Sequence, residues 1–424
     1  MTQELALKLL LKTLEEMDST YRDSSLRKRY YYIKNYRERT LITMFGKITY
    51  WRTIYQDKTT GKSFTYVDRK LGLPRYDRYD PTVKAKVIEL FADHNSMIRV
   101  GEIIGQQIFS LFSTKPERKN FNITRQTVHN IVKRSLIIKP RHTMTKHTPE
   151  VLYVMADEKY IPLQNEATKS AFVRHGVIFE GKTKVGKCKG RYSLVKRYVH
   201  SDLHATFWKS MDDRLHEMYN MEQVKRVYIL GDGANWIKEG AHQIPKAVFM
   251  LDKFHGFQAI QHISSHPLIR GSLQVSIVKN KKKDFQTLID FCLEEHATQP
   301  SRIKTIQEKS KYLLNHWNAL QRSLQILNPG CSMEAQISHN LAAVFTSRPK
   351  AYASKNLARY INLRDLFNNG VDLINLYLDT LHLPPSNKPQ TIPQETFDFS
   401  HFEPKNRYDK SSLSNWVKGL ISKN

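Results

Sequence analysis

Val151-Leu152-Tyr153-Val154-Met155-Ala156-Asp157 is the stretch whose reading decides the fold. Six mostly apolar residues run into an acid, as in a buried strand. Residues 172–180 and 192–200 have the same β-rich character, with a loop-like 181–190 between them. Residues 205–219 then read as a helix. Residues 227–230 form a short apolar strand that stops at Gly231-Asp232-Gly233. A second helix starts at Asn235, and residues 247–251 make a fifth strand. The order is strand, strand, strand, helix, strand, helix, strand. Three strands on short links followed by alternation predict an α/β ribonuclease-H-like domain; a doubly wound nucleotide-binding fold alternates from its start.

Strand patterning ends after residue 256. Residues 257–325 read as an all-helical insertion carrying Lys279, Lys281, Lys282 and Lys283, and 334–370 as a further helical region. The α/β unit is therefore expected over 151–380, with a Pro-rich polar tail at 381–424 (Pro384, Pro385, Pro389, Pro393 and Pro404). Upstream, residues 1–42 read as helix, and 47–55 with 63–67 as a β-hairpin around Thr59-Thr60-Gly61-Lys62. These form an N-terminal region over 1–80. Residues 81–150 return to helical phase, with Val83, Val87, Ile88 and Phe91 on one face. Within them, 124–134 is patterned as the recognition helix of a helix-turn-helix. Thr124 would cap it, Val128, Ile131 and Val132 would pack inward, and Arg125, Gln126, His129 and Lys133 would face out. An ordinary surface helix has the same pattern about as often.

The chain has 424 residues, and 67 Lys+Arg against 40 Asp+Glu give a net charge of +27. With 19 Phe, 21 Tyr and 5 Trp it can build a real core, which excludes a disordered tail protein. So basic a chain binds polyanions by counterion release, with nucleic acid favoured over an anionic membrane surface. No apolar run approaches the roughly 20 residues of a membrane helix. The N-terminus has no signal-peptide pattern; Leu7, Leu10, Leu11 and Leu14 suit an amphipathic helix instead. Cys188, Cys292 and Cys331 fit neither a zinc pattern nor a disulfide framework, so a reducing, cytoplasmic setting is expected.

Several chemistries find no support. Residues 181–188 nearly spell a phosphate-binding loop, but Cys188 stands where a hydroxyl would bind magnesium, and a strand follows where a helix is needed. There is no HExxH, GxSxG or GxGxxG. What remains is acids on strands. Alternation puts Tyr153, Met155 and Asp157 on one face and Glu158 on the other. An acid continuing a buried strand is costly unless it meets a cation or a partner. Asp232 has the same setting, between two glycines. A lone aspartate after a strand is most often a turn or cap residue. Two of them, on the first and fourth strands of this order, would converge. Glu334 is the best third acid, since it shares a helix face with Ile337, Leu341 and Val344; Glu239, Glu294 and Glu295 are rivals.

Ala156-Asp157-Glu158, Gly231-Asp232-Gly233-Ala234-Asn235-Trp236-Ile237-Lys238, Leu251-Asp252-Lys253-Phe254-His255, Ser338-His339 and Ser347-Arg348-Pro349 resemble the ISLre-type insertion-sequence transposases. These were long grouped as an uncharacterised bacterial protein family. More distantly, the same stretches are similar to Mutator-like transposases. The resemblance runs from about Phe45-Gly46 to Leu363-Arg364. It implies an Asp-Asp-Glu catalytic domain with a helical insertion before the Glu, which maps onto Asp157, Asp232 and Glu334. It implies two Mg²⁺ or Mn²⁺ ions, about 3.5–4 Å apart, for cleaving element ends and joining them to a target. The implied partners are double-stranded DNA, as terminal inverted repeats and as target, and further copies of the chain in a synaptic complex. The implied place is the bacterial nucleoid. Asp252 and His255 read first as a structural pair, and would also stand where they support the site. Lys281, Lys282, Lys283 and Arg348 would meet phosphates, although for the lysines a solvated face is the plainer reading. Two other readings stay open: a non-catalytic or decayed transposase-like DNA-binding protein, and another ribonuclease-H-fold nuclease.

Overall fold

The computed structural model describes residues 2–109, 123–135, 146–164, 167–186, 190, 192–326 and 329–382. It opens with helices α1 (Thr2–Asp23) and α2 (Ser25–Tyr30). Strands β1 (Tyr31–Thr43), β2 (Gly46–Asp57) and β3 (Ser63–Thr65) follow as an antiparallel sheet in that order. The expectation of helix through residue 42 thus fails from Tyr31 onward. Tyr31 pairs with Asp57 and Thr43 with Gly46, and the Tyr, Ile and Thr of this stretch suit a pleated surface while Lys34, Arg37 and Glu38 stay exposed and Arg39 turns inward. The hairpin's return arm ends at Thr65, because Val67 enters helix α3 (Tyr66–Lys70) and is buried there. Leu14 of α1 packs with Leu41, Ile48, Tyr50, Val67 and Leu73 in a small core. Two buried acids fasten it. Asp18 accepts from Thr53 N–H (3.1 Å) and Oγ1 (2.5 Å), and Asp68 is paired with Arg39 (2.8 Å) and Arg52.

Helices α4 (Pro81–His94), α5 (Met97–Phe109) and α6 (Arg125–Arg134) come next. Asp80 caps α4 by accepting from Val83 N–H at 2.7 Å, and Thr124 caps α6 by accepting from Thr127 N–H at 3.3 Å. Val128 and Val132 of α6 are buried, and Ile131 is half-buried. Val83, Val87, Phe91, Val100, Ile104 and Val128 belong to one continuous core with the central sheet.

That sheet contains β4 (Val151–Pro162) and β5 (Ser170–Phe179). A separate two-stranded ribbon follows, β6 (Gly181–Lys184) with β7 (Tyr192–Val195). Then come β8 (Tyr198–Asp202), α7 (Phe207–Met218), β9 (Arg226–Gly231), α8 (Asn235–Gln243) and β10 (Ala247–Leu251). The strand order is β10-β9-β4-β5-β8. β4, β9 and β10 run parallel, whereas β5 is antiparallel to β4 and to β8. The third strand expected at 192–200 is broken: Lys196 takes a φ of 50°, which turns the chain from the ribbon into the sheet. The protein is thus mixed α/β with a mixed sheet.

Helices cover both faces. Leu152, Val154 and Ala156 face Phe207, Trp208, Ile237 and Ile260. Tyr153, Met155, Val173 and Val177 face the other core, with Val83, Met333, Leu341 and Tyr360. After β10 the chain forms α9 (Lys253–Ile263), α10 (Pro267–Val278), α11 (Lys282–Glu295), α12 (Pro300–Asn315) and α13 (Trp317–Gln325). It then crosses to the second face as α14 (Met333–Ile337), a π-helical segment Ser338–Thr346, α15 (Ser354–Asn368) and α16 (Leu373–His382). The Pro-rich tail lies outside the described residues from 383 onward. No helix among the described residues is long and apolar enough to cross a membrane.

Candidate active site

Asp157 does not end its strand; β4 continues to Pro162 because β5 pairs with it as far as Ser170. On its other side β4 loses its partner earlier. Met155 is matched with Leu230, and β9 stops at Gly231. Asp157 and Asp232 therefore each lie two residues beyond the same ladder pair, where the parallel strands part. Alternation turns both toward the face of Met155 and Leu230. Glu158 points the other way and accepts from Trp236 Nε1 at 2.8 Å.

Asp157 is half-buried, and its Oδ1 accepts from Glu158 N–H at 2.8 Å. Burial pushes its carboxyl up to about 6; the Glu158 N–H bond pulls it down, Glu158 and Asp232 add to the rise, and His255 opposes it. Asp232 accepts at Oδ1 from Ala234 N–H (2.9 Å), and its carbonyl accepts from Tyr312 Oη (2.7 Å). Gly233 has a φ of 91°, and a Cβ there would lie 2.7 Å from His316 Nε2. The helical block thus presses directly on the Asp232 turn through Tyr312 and His316 of its chain.

Asp252 is buried one residue past β10, and its N–H reaches Gly231 O at 3.0 Å. Its Oδ1 caps α9 by accepting from Phe254 N–H at 3.2 Å. Burial raises its carboxyl, the Phe254 bond and His255 lower it, Glu334 raises it and Lys182 lowers it. Glu334 is exposed in the first turn of α14. The segment before it is tied down twice. Lys182 Nζ of the ribbon donates to Gly330 O (3.0 Å), and Ser332 N–H donates to Met155 Sδ (3.2 Å), two residues before Asp157. Cys331, free and with its thiol pushed up by burial, has Asp252, Asp157 and Lys182 as charged neighbours.

The structure therefore gathers Asp157, Asp232, Asp252, His255 and Glu334 around one end of the parallel strands. Lys182, Tyr312 and His316 join them without any local sequence signal, since each enters through a contact distant along the chain. The oxygen-rich set suits a hard divalent cation. Asp157, half-buried beside Asp232 and Glu158 with its carboxyl raised by burial, is the member of the set that a cation would answer. As placed, no three Asp, Glu, His or Cys side chains among the described residues are close enough to hold one ion in common.

The residues expected to meet DNA are elsewhere. Arg125, Gln126 and Lys133 are exposed on α6, with Gln126 Nε2 bonded to Asn130 Oδ1 at 3.0 Å. His129 is half-buried on the same helix, so it presents less to a partner than the sequence suggests. Lys281, Lys282 and Lys283 are exposed at the start of α11, where Lys281 pairs with Asp284 at 3.4 Å. Arg348 is exposed after the π-helical segment.

The fold and its acids define a basic, mixed α/β protein with two aspartates just past the point where its parallel strands part. The chain belongs to the uncharacterised protein family UPF0236, whose model matches residues 1–378. A UPF0236 protein of Caldanaerobacter subterraneus subsp. tengcongensis is 28% identical over 383 residues, covering 88% of this chain and 77% of its own. A second protein of that organism, also 28% identical over 383 residues, carries eleven locus designations in its name. The UPF0236 protein in the vanSb 3′ region of Streptococcus gallolyticus is 22% identical over 324 residues, covering 74% of this chain and 68% of its own. Among solved structures, the Drosophila P element transposase strand transfer complex matches at 11% identity, covering 74% of this chain and 83% of that one, with a TM-score of 0.25.

Proposed function

We propose that this chain is the DNA transposase of an insertion sequence, a ribonuclease-H-like enzyme that cleaves the element's ends and joins them to target DNA. The observation that carries the reading is the placement of Asp157 and Asp232 two residues beyond one ladder pair, on the face against which α14, the helix of Glu334, packs through Met333 and Ile337. Three antiparallel strands flanked by two parallel ones, in the order β10-β9-β4-β5-β8, are the strand arrangement this reading requires. The +27 charge suits a protein that holds long stretches of DNA. A relative known from eleven loci of one genome is what a self-copying element would leave behind.

In this reading Asp157 and Asp232 hold divalent cations between them, and Glu334 closes the set once DNA is seated. Bound there, magnesium or manganese supplies the Lewis-acid chemistry of an in-line displacement at phosphorus. Asp252 fixes the start of α9 and so aims His255 at Asp157. Tyr312 and His316 keep the Asp232 turn from shifting. Arg125, Gln126 and Lys133 of α6 read or grip the terminal repeats, with the lysines at 281–283 and Arg348 on phosphates. Pairing two ends calls for at least two copies of the chain, working at the nucleoid.

The test is an end-cleavage assay. Purified protein is given a duplex carrying the gene's own flanking ends, with Mg²⁺ or Mn²⁺. Wild type is expected to nick the duplex at the element boundary, and Asp232→Asn to bind it without nicking. Equal nicking by both proteins, or binding without nicking by wild type, overturns the reading.

A further inference from the structure

Beneath the acidic cluster runs a chain of buried polar side chains that the acids do not touch. His175 of β5 lies opposite Asp157 in the β4–β5 ladder and is fully buried. Its Nδ1 is 2.7 Å from Ser201 Oγ, and its Nε2 is 3.0 Å from Asn340 Nδ2. Ser201, on β8, reaches Asp365 of α15 twice: Oγ donates to Oδ1 at 2.9 Å and N–H to Oδ2 at 2.6 Å. Asn340 lies in the π-helical segment, six positions after Glu334. Arg197 holds this end, donating from Nη2 to Asn340 Oδ1 (3.0 Å) and from Nε to Gln336 Oε1 (2.9 Å). Asn340 Nδ2 also reaches Gln336 Oε1 at 3.3 Å. Arg364 donates to the carbonyls of His339 (3.1 Å) and Asn340 (3.2 Å).

The partners leave one consistent direction from Arg197 to Ser201. A guanidinium only donates, so Arg197 fixes Asn340 with its oxygen toward the arginine and its amide N–H toward His175. His175 Nε2 must then accept. Its proton sits on Nδ1 and goes to Ser201 Oγ, whose own proton goes to Asp365. Burial keeps the imidazole neutral, its pKa depressed to about 3, and pushes Asp365 up to about 7 against the Ser201 bonds that pull it down; the His175 tautomer is set from the Asn340 side, whichever of Ser201 and Asp365 carries the proton they share. A satisfied buried network of this kind has one low-energy geometry and resists sliding.

It joins two things the proposed chemistry must hold in register. His175, inside the chain, lies on the strand paired with Asp157, and Asn340, at one end, follows Glu334 in the next helical segment. We propose that the one-way chain Asn340–His175–Ser201–Asp365, oriented by Arg197, positions the Glu334 helix against the strand of Asp157. Glu334 itself makes none of these bonds and stays exposed to substrate. The π-helical segment is the part most in need of such a clamp, because its wider turns pack less regularly than α-helix. This rests on the transposase reading for the role of Glu334, while the clamp itself has a readout that does not.

The experiment compares wild type with Asn340→Asp and Ser201→Ala. Nitrogen-15 NMR of wild type is expected to show His175 protonated on Nδ1 and bare on Nε2. Asn340→Asp removes the amide donor and is expected to move the proton to Nε2 and shift the Glu334 amide resonance. In single-turnover cleavage at saturating DNA, both variants are expected to lose roughly 10- to 100-fold in rate with DNA affinity unchanged. A wild-type His175 protonated on Nε2 overturns the proposal. So does a Glu334 resonance that does not move in Asn340→Asp, whatever the cleavage result. A fall in melting temperature with the rate per folded molecule intact also overturns it, by reducing the chain to a structural role. Failure of wild type to cleave, with the tautomer and the Glu334 shift as expected, instead rejects the transposase reading and leaves the clamp standing.

Discussion

Asp157→Asn, Asp232→Asn and Glu334→Gln each keep side-chain size and remove one anion. Loss of charge stabilisation worth several kcal/mol at a divalent site corresponds to at least about a 100-fold loss of cleavage rate, with DNA affinity little changed. Parallel rate and binding measurements on the three variants check this; a Glu334→Gln protein that cleaves like wild type would assign the third acid to another residue. Asp157 and Asp232 were readable from the sequence because an acid that continues an apolar strand has few reasons to be there. The phase that singled out Glu334 with Ile337, Leu341 and Val344 does not carry into the structure: Met333 and Ile337 are buried, Glu334 is exposed, and the chain turns π-helical from Ser338. Lys182 was not readable. It reaches the site through an ammonium-to-carbonyl bond with Gly330, 148 residues further along, and through its charge near Asp252. Tyr312 and His316 were hidden for the same reason, one bonded to the Asp232 carbonyl and the other lying where a Gly233 side chain would be.

At the level of elements, the turn that carries Asp232 leaves no room for a side chain at Gly233. Gly233→Ala adds a Cβ in left-handed backbone and against His316. The expected cost is about 1–3 kcal/mol of stability, read by denaturant unfolding, together with slower cleavage. For α6 the expectation is electrostatic. Replacing Arg125 and Lys133 by Gln should flatten the salt dependence of DNA binding by about two phosphate contacts. An unchanged slope would remove α6 from the interface. Elements were readable from the sequence where a single period dominated, as at β9, β10 and the capped α6. They were missed where charge masked the period. The 31–43 stretch holds Lys34, Arg37, Glu38 and Arg39, which suggest an exposed helix, yet its Tyr, Ile and Thr pair strand to strand with β2. The break at Lys196 left no mark either, since a lysine with positive φ is set by the ribbon it ends.

For the whole molecule, pH offers an independent check on the packing. Burial pushes Tyr55, Tyr198 and Tyr352 up to about 12, each in a different part of the core. An unfolded tyrosine ionises near 10. The folded state therefore keeps protons that the unfolded state releases, and stability present below pH 10 is lost as pH rises toward 12. Melting temperature should hold steady to about pH 9.5 and then fall, with part of the tyrosinate absorbance appearing only above pH 11. One of the two cores beside the sheet reaches from Val83 to Leu373, so helices α4 to α6 share their packing with the sheet. In the proposed reading, Asp157 and Asp232 are the residues with which the protein acts on DNA. The most direct measurement is excision in cells of a marker flanked by the gene's native flanking DNA, driven by wild type or by Asp232→Asn. Excision by wild type alone is the result expected; excision by both proteins would contradict the account.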